Sequence, residues 1–119
     1  MNREFMRCKI HRATVTEADL NYVGSITIDE KLMEQAGLLE YEKVHVLDIT
    51  NGNRLETYVI KGKRDSGEIC INGAAAHLVN KGDLVIIVCY CSLEDQEIAG
   101  FKPKIVHVDK FNKIKQNVN

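Results

Sequence analysis

The 119-residue chain sets 16 Lys and Arg against 17 Asp and Glu, a net charge of -1, with 45% apolar and 28% charged residues. That is the composition of one globular domain, and no run of five or more like charges offers a nucleic-acid backbone a basic surface. No window approaches the roughly 18 consecutive apolar residues of a membrane span, and MNREFMRCKIHR alternates where a signal peptide would place an apolar core, so the expectation is a cytoplasmic protein with neither nucleic acid nor membrane as partner.

In chain order, Met6, Cys8 and Ile10 alternate with Arg7, Lys9 and His11, the period of a half-buried strand that puts Lys9 and His11 on one face. In TEADLN, Thr16 stands three residues before Asp19, a capping pattern that suits a single helical turn. YVGSITI resumes strand character, with Gly24-Ser25 inside it. A glycine weakens a strand interior and marks a bulge or a close approach by another group. Asp29 is a good N-cap, Leu32, Met33 and Ala36 have helical spacing, and Gly37 is a natural stop.

Thr50-Asn51-Gly52-Asn53 between KVHVLDIT and RLETYVIK predicts a hairpin. EICIN follows as a strand, AAAHLV after Asn72-Gly73 as a short helix, and LVIIVCYC after the NKGD turn as a fully buried strand. Ser92 with Asp95 predicts a capped helix over LEDQEIA, and KIVHVD after Pro103 a last strand. Residues from about 110 to 119 are polar and are expected to fray. ITID and ICIN begin 43 residues apart, at 26 and 69, and each precedes a short helix and a strand. Six or seven short strands, three small helices and this echo favour a closed β-barrel.

The chemistry legible in single residues is sparse. His11, His45, His77 and His107 are scattered without metal-ligand spacing, so no metal is expected. Cys89 and Cys91 share a strand face, awkwardly for a mutual disulfide, and with Cys8 and Cys70 are expected as reduced thiols. There is no phosphate-cradling glycine motif and no G-x-S-x-G. Ser25 stands out because the glycine before it leaves the carbonyl of residue 24 unshielded, open to attack by its hydroxyl in an N-to-O acyl shift. Lys9, His11, Arg54, Thr57, Tyr58 and the N-H groups after Asn72-Gly73 could converge with it. Each also reads as a surface charge, a packing aromatic or a turn.

Three stretches in register carry more. KIHRATVTEADLNYVGSITID, TNGNRLETYVI and INGAAAHLVNKGDLVII closely resemble the aspartate 1-decarboxylase family, pyruvoyl-dependent enzymes that make β-alanine for pantothenate. The resemblance implies a mainly β fold, a six-stranded double-psi β-barrel with short helices, in which NKGD is similar to the glycine-aspartate turn of such barrels. It implies a single domain, 1-119, that cleaves itself between Gly24 and Ser25 into chains 1-24 and 25-119. The ester formed by Ser25 is eliminated to dehydroalanine, which hydrolyses to a pyruvoyl group, with no metal and no pyridoxal phosphate.

L-Aspartate would form a Schiff base with that ketone, and Tyr58 would be the proton donor after carbon dioxide leaves. Lys9, Arg54, Thr57, Gly73, Ala74 and Ala75 match the family's substrate contacts, Thr57 also its helper in self-processing. His11, Tyr22 and Asn72 are further lining residues. The resemblance implies a homotetramer with sites at subunit boundaries. Thr57 and Tyr58 are adjacent, so regular pleating points them to opposite faces, and both can serve one site only if the strand bends or two subunits contribute. The alternatives are a barrel relative that never cleaves and a swapped-hairpin DNA-binding regulator.

Overall fold

The computed structural model describes residues 1-115, with strands β1 (Asn2–Thr14), β2 (Glu17–Asp19), β3 (Ser25–Asp29), β4 (Lys43–Asp48), β5 (Arg54–Gly62), β6 (Ile69–Asn72), β7 (Leu84–Glu94) and β8 (Lys104–His107). Helix α1 (Glu30–Ala36) follows β3, a 3-10 turn (Gly73–His77) follows β6, and α2 (Asp95–Ile98) follows β7. The ladder order is β2-β6-β3-β5-β4-β7-β1-β8. It closes on itself because β1 runs through Val15 and Thr16 directly into β2. Across that join Val15 N-H donates to Asp83 O (2.9 Å) and Thr16 N-H to Ile69 O (2.8 Å), while Val15 O accepts from Gly82 N-H (2.8 Å). Counting β1 and β2 as one strand gives a six-stranded barrel, with β8 parallel to β1 outside it.

The two halves are related by a pseudo-two-fold axis. β2 runs parallel to β6, as β5 does to β3, and β1 is antiparallel to β7, as β5 is to β4. In the two ladders that join the halves, Thr27 faces Cys70 and His45 faces Val88. Both pairs are 43 residues apart, 70 against 27 and 88 against 45, the spacing of ITID and ICIN. β3 and β4 thus each pair across the axis with their own symmetry mates, β6 and β7, while β5 and the continuous β1-β2 strand complete the two halves, and the barrel so interlocked is double-psi.

Inside lie the alternate residues of each strand, among them Ile10, Val15, Ile26, Ile28, Val44, Val46, Val59, Ile69, Ile71, Val85 and Ile87, all essentially inaccessible. Leu32, Met33 and Ala36 of α1 join them. The Asp29 side chain caps α1 through Lys31 N-H (2.8 Å) and also accepts from Asp65 N-H and Gly67 N-H.

Several sequence expectations are corrected. Glu17–Asp19 is a strand, because its backbone completes the barrel against β6, and tertiary pairing overrides the capping pattern at Thr16. β7 runs through Ser92 to Glu94, so the last helix is only Asp95–Ile98, capped by Glu94 with Glu97. The strand around Gly24 starts at Ser25. Residues 110-115 do not fray: buried Asn112 donates to Thr14 O and Gly67 O and accepts from Thr14 N-H, and Val108 bridges to Ile114. The remainder of the expected tail, 116-119, lies outside the described residues.

Asp48 closes the β4-β5 hairpin, its Oδ1 accepting from Thr50 N-H (2.8 Å) and Asn51 N-H (3.2 Å). Its buried Oδ2 finds no donor among the described residues unless a proton is shared with neighbouring Asp83. Burial first, then that contact, push the Asp48 carboxyl up to about 6. The folded state therefore holds this proton more tightly than the unfolded chain, and the associated stability is present below pH 4 and lost as pH rises through about 6. Asp48→Asn keeps an acceptor for the turn and supplies a permanent donor to Asp83. Thermal unfolding of the variant should lose the pH 4 to 6 decline due to this group, so that at pH 7.5 the variant melts above the wild type.

Candidate functional site

Ser25 begins β3 directly opposite Asn72, the last residue of β6. It is 1% exposed, although residues 20-24 leading into it are all exposed. Its hydroxyl donates to Val23 O (3.2 Å) and accepts from Asn72 Nδ2 (3.0 Å), which also donates to Thr27 Oγ1 (3.0 Å). Asn72 itself is 3% exposed. The sequence reading missed Thr27 and the Val23 carbonyl. Thr27 was within reach of the period-two rule, since it shares the face of Ser25.

The close approach anticipated at Gly24 exists, but the glycine that permits it is Gly73. A Cβ on Gly73 would lie 2.6 Å from Gly24 Cα and 2.7 Å from Gly24 N, and its φ of +72° is strained for any side chain. A Cβ on Gly24 would meet nothing within 4 Å. The helix expected after Gly73 is a 3-10 turn of five residues, with Ala74 exposed and Ala75 half-buried.

β3 and β5 run parallel with Ile26 facing Val59, so one step back along both strands brings Tyr58 beside Ser25. Thr57 faces buried Val44 and Tyr58 faces exposed Lys43, so the two point to opposite sides of β5, as the pleat requires. Arg54 lies at the far end of β5, about 13 Å from Tyr58 at the usual rise per residue. Lys9 faces Val88, which faces His45, which faces Glu56, so three ladders, or about 14 Å of sheet, separate it from β5. Within one chain, then, Ser25, Tyr58, Asn72 and Gly73 come together, with Tyr22 O close to Gly73, while Lys9, His11 and Arg54 stand apart from them. Among the described residues neither Lys9 nor Arg54 has an acidic partner.

His11 packs edge-on against His107, its ladder partner on β8, with ring centroids 5.4 Å apart. Its buried Nδ1 has no partner among the described residues. Burial, then Lys9 and His107, hold its pKa below the usual histidine value, favouring a neutral ring. His107 was invisible as a neighbour in the sequence because only the β1-β8 pairing brings it there. A surface cleft of about 270 Å³ is lined by Glu4, Lys43, His45, Tyr90, Cys91 and Ser92, none of them an expected site residue. No group of three or more metal-ligating side chains occurs among the described residues, and no helix among them is long and apolar enough to cross a membrane.

Comparison with known proteins bears on what such an arrangement is for. The family model described as aspartate decarboxylase matches residues 1-115. The chain belongs to the aspartate decarboxylase family. The aspartate 1-decarboxylase of Caldicellulosiruptor saccharolyticus is 67% identical over 93% of this chain and 87% of its own. That of Clostridium botulinum is 58% identical over 100% of this chain and 94% of its own, and that of Corynebacterium efficiens 62% over 96% and 84%. The computationally designed protein msDPBB_sym2 aligns with 71% of this chain at 18% identity and a TM-score of 0.44, and the fold assignment rests on the ladder order instead.

Gly73→Ala should disturb the Gly24 segment, because its Cβ collides with backbone that cannot swing aside. We expect a lower melting temperature by thermal unfolding. Gly24→Ala should leave the melting temperature of the uncleaved chain within a degree or two of wild type, since its Cβ enters open space.

Proposed function

We infer that this chain decarboxylates L-aspartate to β-alanine and carbon dioxide, serving pantothenate biosynthesis, with a pyruvoyl group made from its own Ser25. The observation that carries the reading is the buried Ser25 hydroxyl, held by Asn72 and the Val23 carbonyl immediately after Gly24. Maturation begins when Ser25 Oγ attacks the Gly24 carbonyl carbon. The C-O bond forms, the C-N bond breaks, and the hydroxyl proton passes to the nitrogen, leaving an ester. Loss of the Ser25 α-proton then expels Gly24 as a carboxylate. Water adds to the resulting dehydroalanine, ammonia leaves, and a ketone heads chain 25-119.

The surroundings suit such a group: residue 25 is excluded from water, an amide donor 3.0 Å from its side chain is in place, and the Gly73 backbone leaves room for the segment that must depart. A pyruvoyl ketone supplies the electron sink that decarboxylation of an amino acid requires. The remaining work falls to side chains. Thr57 polarises the Gly24 carbonyl during processing. Lys9 and Arg54 pair with the two substrate carboxylates, for which an uncompensated lysine and arginine are suited. The backbone of Gly73, Ala74 and Ala75 fixes the substrate's position, and Tyr58 delivers a proton to the substrate α-carbon. His11, neutral beside His107, and Tyr22 line the cleft.

Since Arg54 lies about 13 Å from Tyr58 along β5, Lys9 about 14 Å of sheet from β5, and Thr57 on the other side of β5 from Tyr58, we propose that the residues around one Ser25 come from two subunits, in a homotetramer with sites at subunit boundaries. The exposed Leu20, Tyr22, Val23, Leu39 and Tyr41 are apolar surface that such an assembly would cover.

Ser25→Ala should remain a single chain by intact mass and form no β-alanine, and normal production by this variant would overturn the mechanism. Tyr58→Phe should cleave to two chains yet lose turnover by roughly 100-fold or more, the scale of a general-acid contribution. Light scattering should give four times the 13.5 kDa chain mass.

A further inference from the structure

Cys8 and Cys89 face each other as partners in the β1-β7 ladder, far apart in sequence and both free. Each belongs to the buried alternation of its strand, Cys8 with Ile10 and Cys89 with Val85 and Ile87, so both thiols point to the inner side of the barrel wall. Directly opposed residues of an antiparallel pair have Cα atoms about 4.5 to 5.5 Å apart, within the span a disulfide bridges. The ladder slips between Met6 and Cys8, where Arg7 is the extra residue of a β-bulge. The bulge turns Arg7 towards the same site, and its Nη2 donates to Cys89 Sγ (3.4 Å) while it pairs with Glu42 (2.7 Å).

We propose that Cys8 and Cys89 form a reversible redox staple between β1 and β7. After cleavage at Gly24-Ser25, Cys8 belongs to chain 1-24 and Cys89 to chain 25-119, so the staple joins the two chains covalently. The proposal draws on the cleavage reading only for this two-chain consequence. The oxidant is a peroxide. Burial raises both thiols, the Cys8 thiol to about 11, but the Arg7 hydrogen bond to Cys89 Sγ offsets part of the rise there, so Cys89 reacts first. The Cys89 thiolate attacks a peroxide oxygen, the O-O bond breaks, and the departing hydroxide takes up a proton as water, leaving a sulfenic acid. Cys8 sulfur then attacks Cys89 sulfur, the S-O bond breaks, and a second water departs with the Cys8 proton. Two thiols have lost two electrons and two protons, and one peroxide has become two waters.

The test uses the mature protein treated with hydrogen peroxide, quenched with a maleimide and run without reductant. The two chains should migrate as one species, about 2 Da lighter than their sum, with a Cys8-Cys89 peptide pair that dithiothreitol separates. Cys8→Ala and Cys89→Ala should each abolish the linkage, while Cys70→Ala and Cys91→Ala should retain it. Chains that separate without reductant, or a linkage that survives Cys89→Ala, would overturn the staple. A protein that runs as one band even with reductant has failed to cleave, which counts against the processing mechanism alone. The mass loss and the mapped peptide pair then decide the staple by themselves.

Discussion

The structure depends on one continuous stretch of backbone, Asn2 to Asp19, changing partners without breaking. Along β1 it is bonded to β7 on one edge and, from Cys8 to His11, to β8 on the other. Past Thr14 it crosses to β6. That crossing turns an open sheet with two edges into a closed barrel, which removes the unpaired edges that would otherwise invite aggregation. It also inserts Ile10, Ala13 and Val15 into the common core, where Ile10 and Val15 each contribute roughly 1.5 to 3 kcal/mol.

The same stretch is what self-cleavage would detach. Chain 1-24 would then be held by its ladders and core side chains alone. Many contacts serve that purpose: Asn112 pins both polar groups of Thr14, Arg7 ties the strand to Glu42 and the Gly37 carbonyl, and β8 covers the free edge. A barrel closed by its first strand can lose the covalent link after residue 24 because that strand is anchored along its whole length. The Gly24-Ser25 bond lies outside the regular ladder, between an exposed segment and the buried start of β3. There the backbone before the bond is exposed, while the Ser25 side chain after it is buried.

Pseudo-symmetry explains where the site sits. Asp29 and Asn72 occupy equivalent positions at the ends of β3 and β6, 43 residues apart. Asp29 spends its oxygens capping α1 and holding the turn at 65-67. Asn72 makes no side-chain cap for the turn that follows it and turns its amide to Ser25 and Thr27 instead. Two equivalent positions thus do different work, one keeping a structural task and the other supplying a donor beside the buried Ser25 hydroxyl.

Much of this was legible in the chain itself. Asn-Gly chemistry at 51-52, the Asp29 and Gly37 caps and the alternation of β1 are local signals, and local signals survive folding. Three long motifs in register carried the family, the double-psi barrel and the residues expected at the site. Pairing across the barrel decided the rest. β2 is a strand because β6 needs a partner, Gly73 must be glycine because Gly24 passes 2.6 Å from where its Cβ would stand, and Cys8 meets Cys89 because β1 and β7 are neighbours. Sequence determines periodicity, caps and turns, since those are interactions within a few residues. Contacts between residues 47, 49 or 81 positions apart exist only once the barrel has closed.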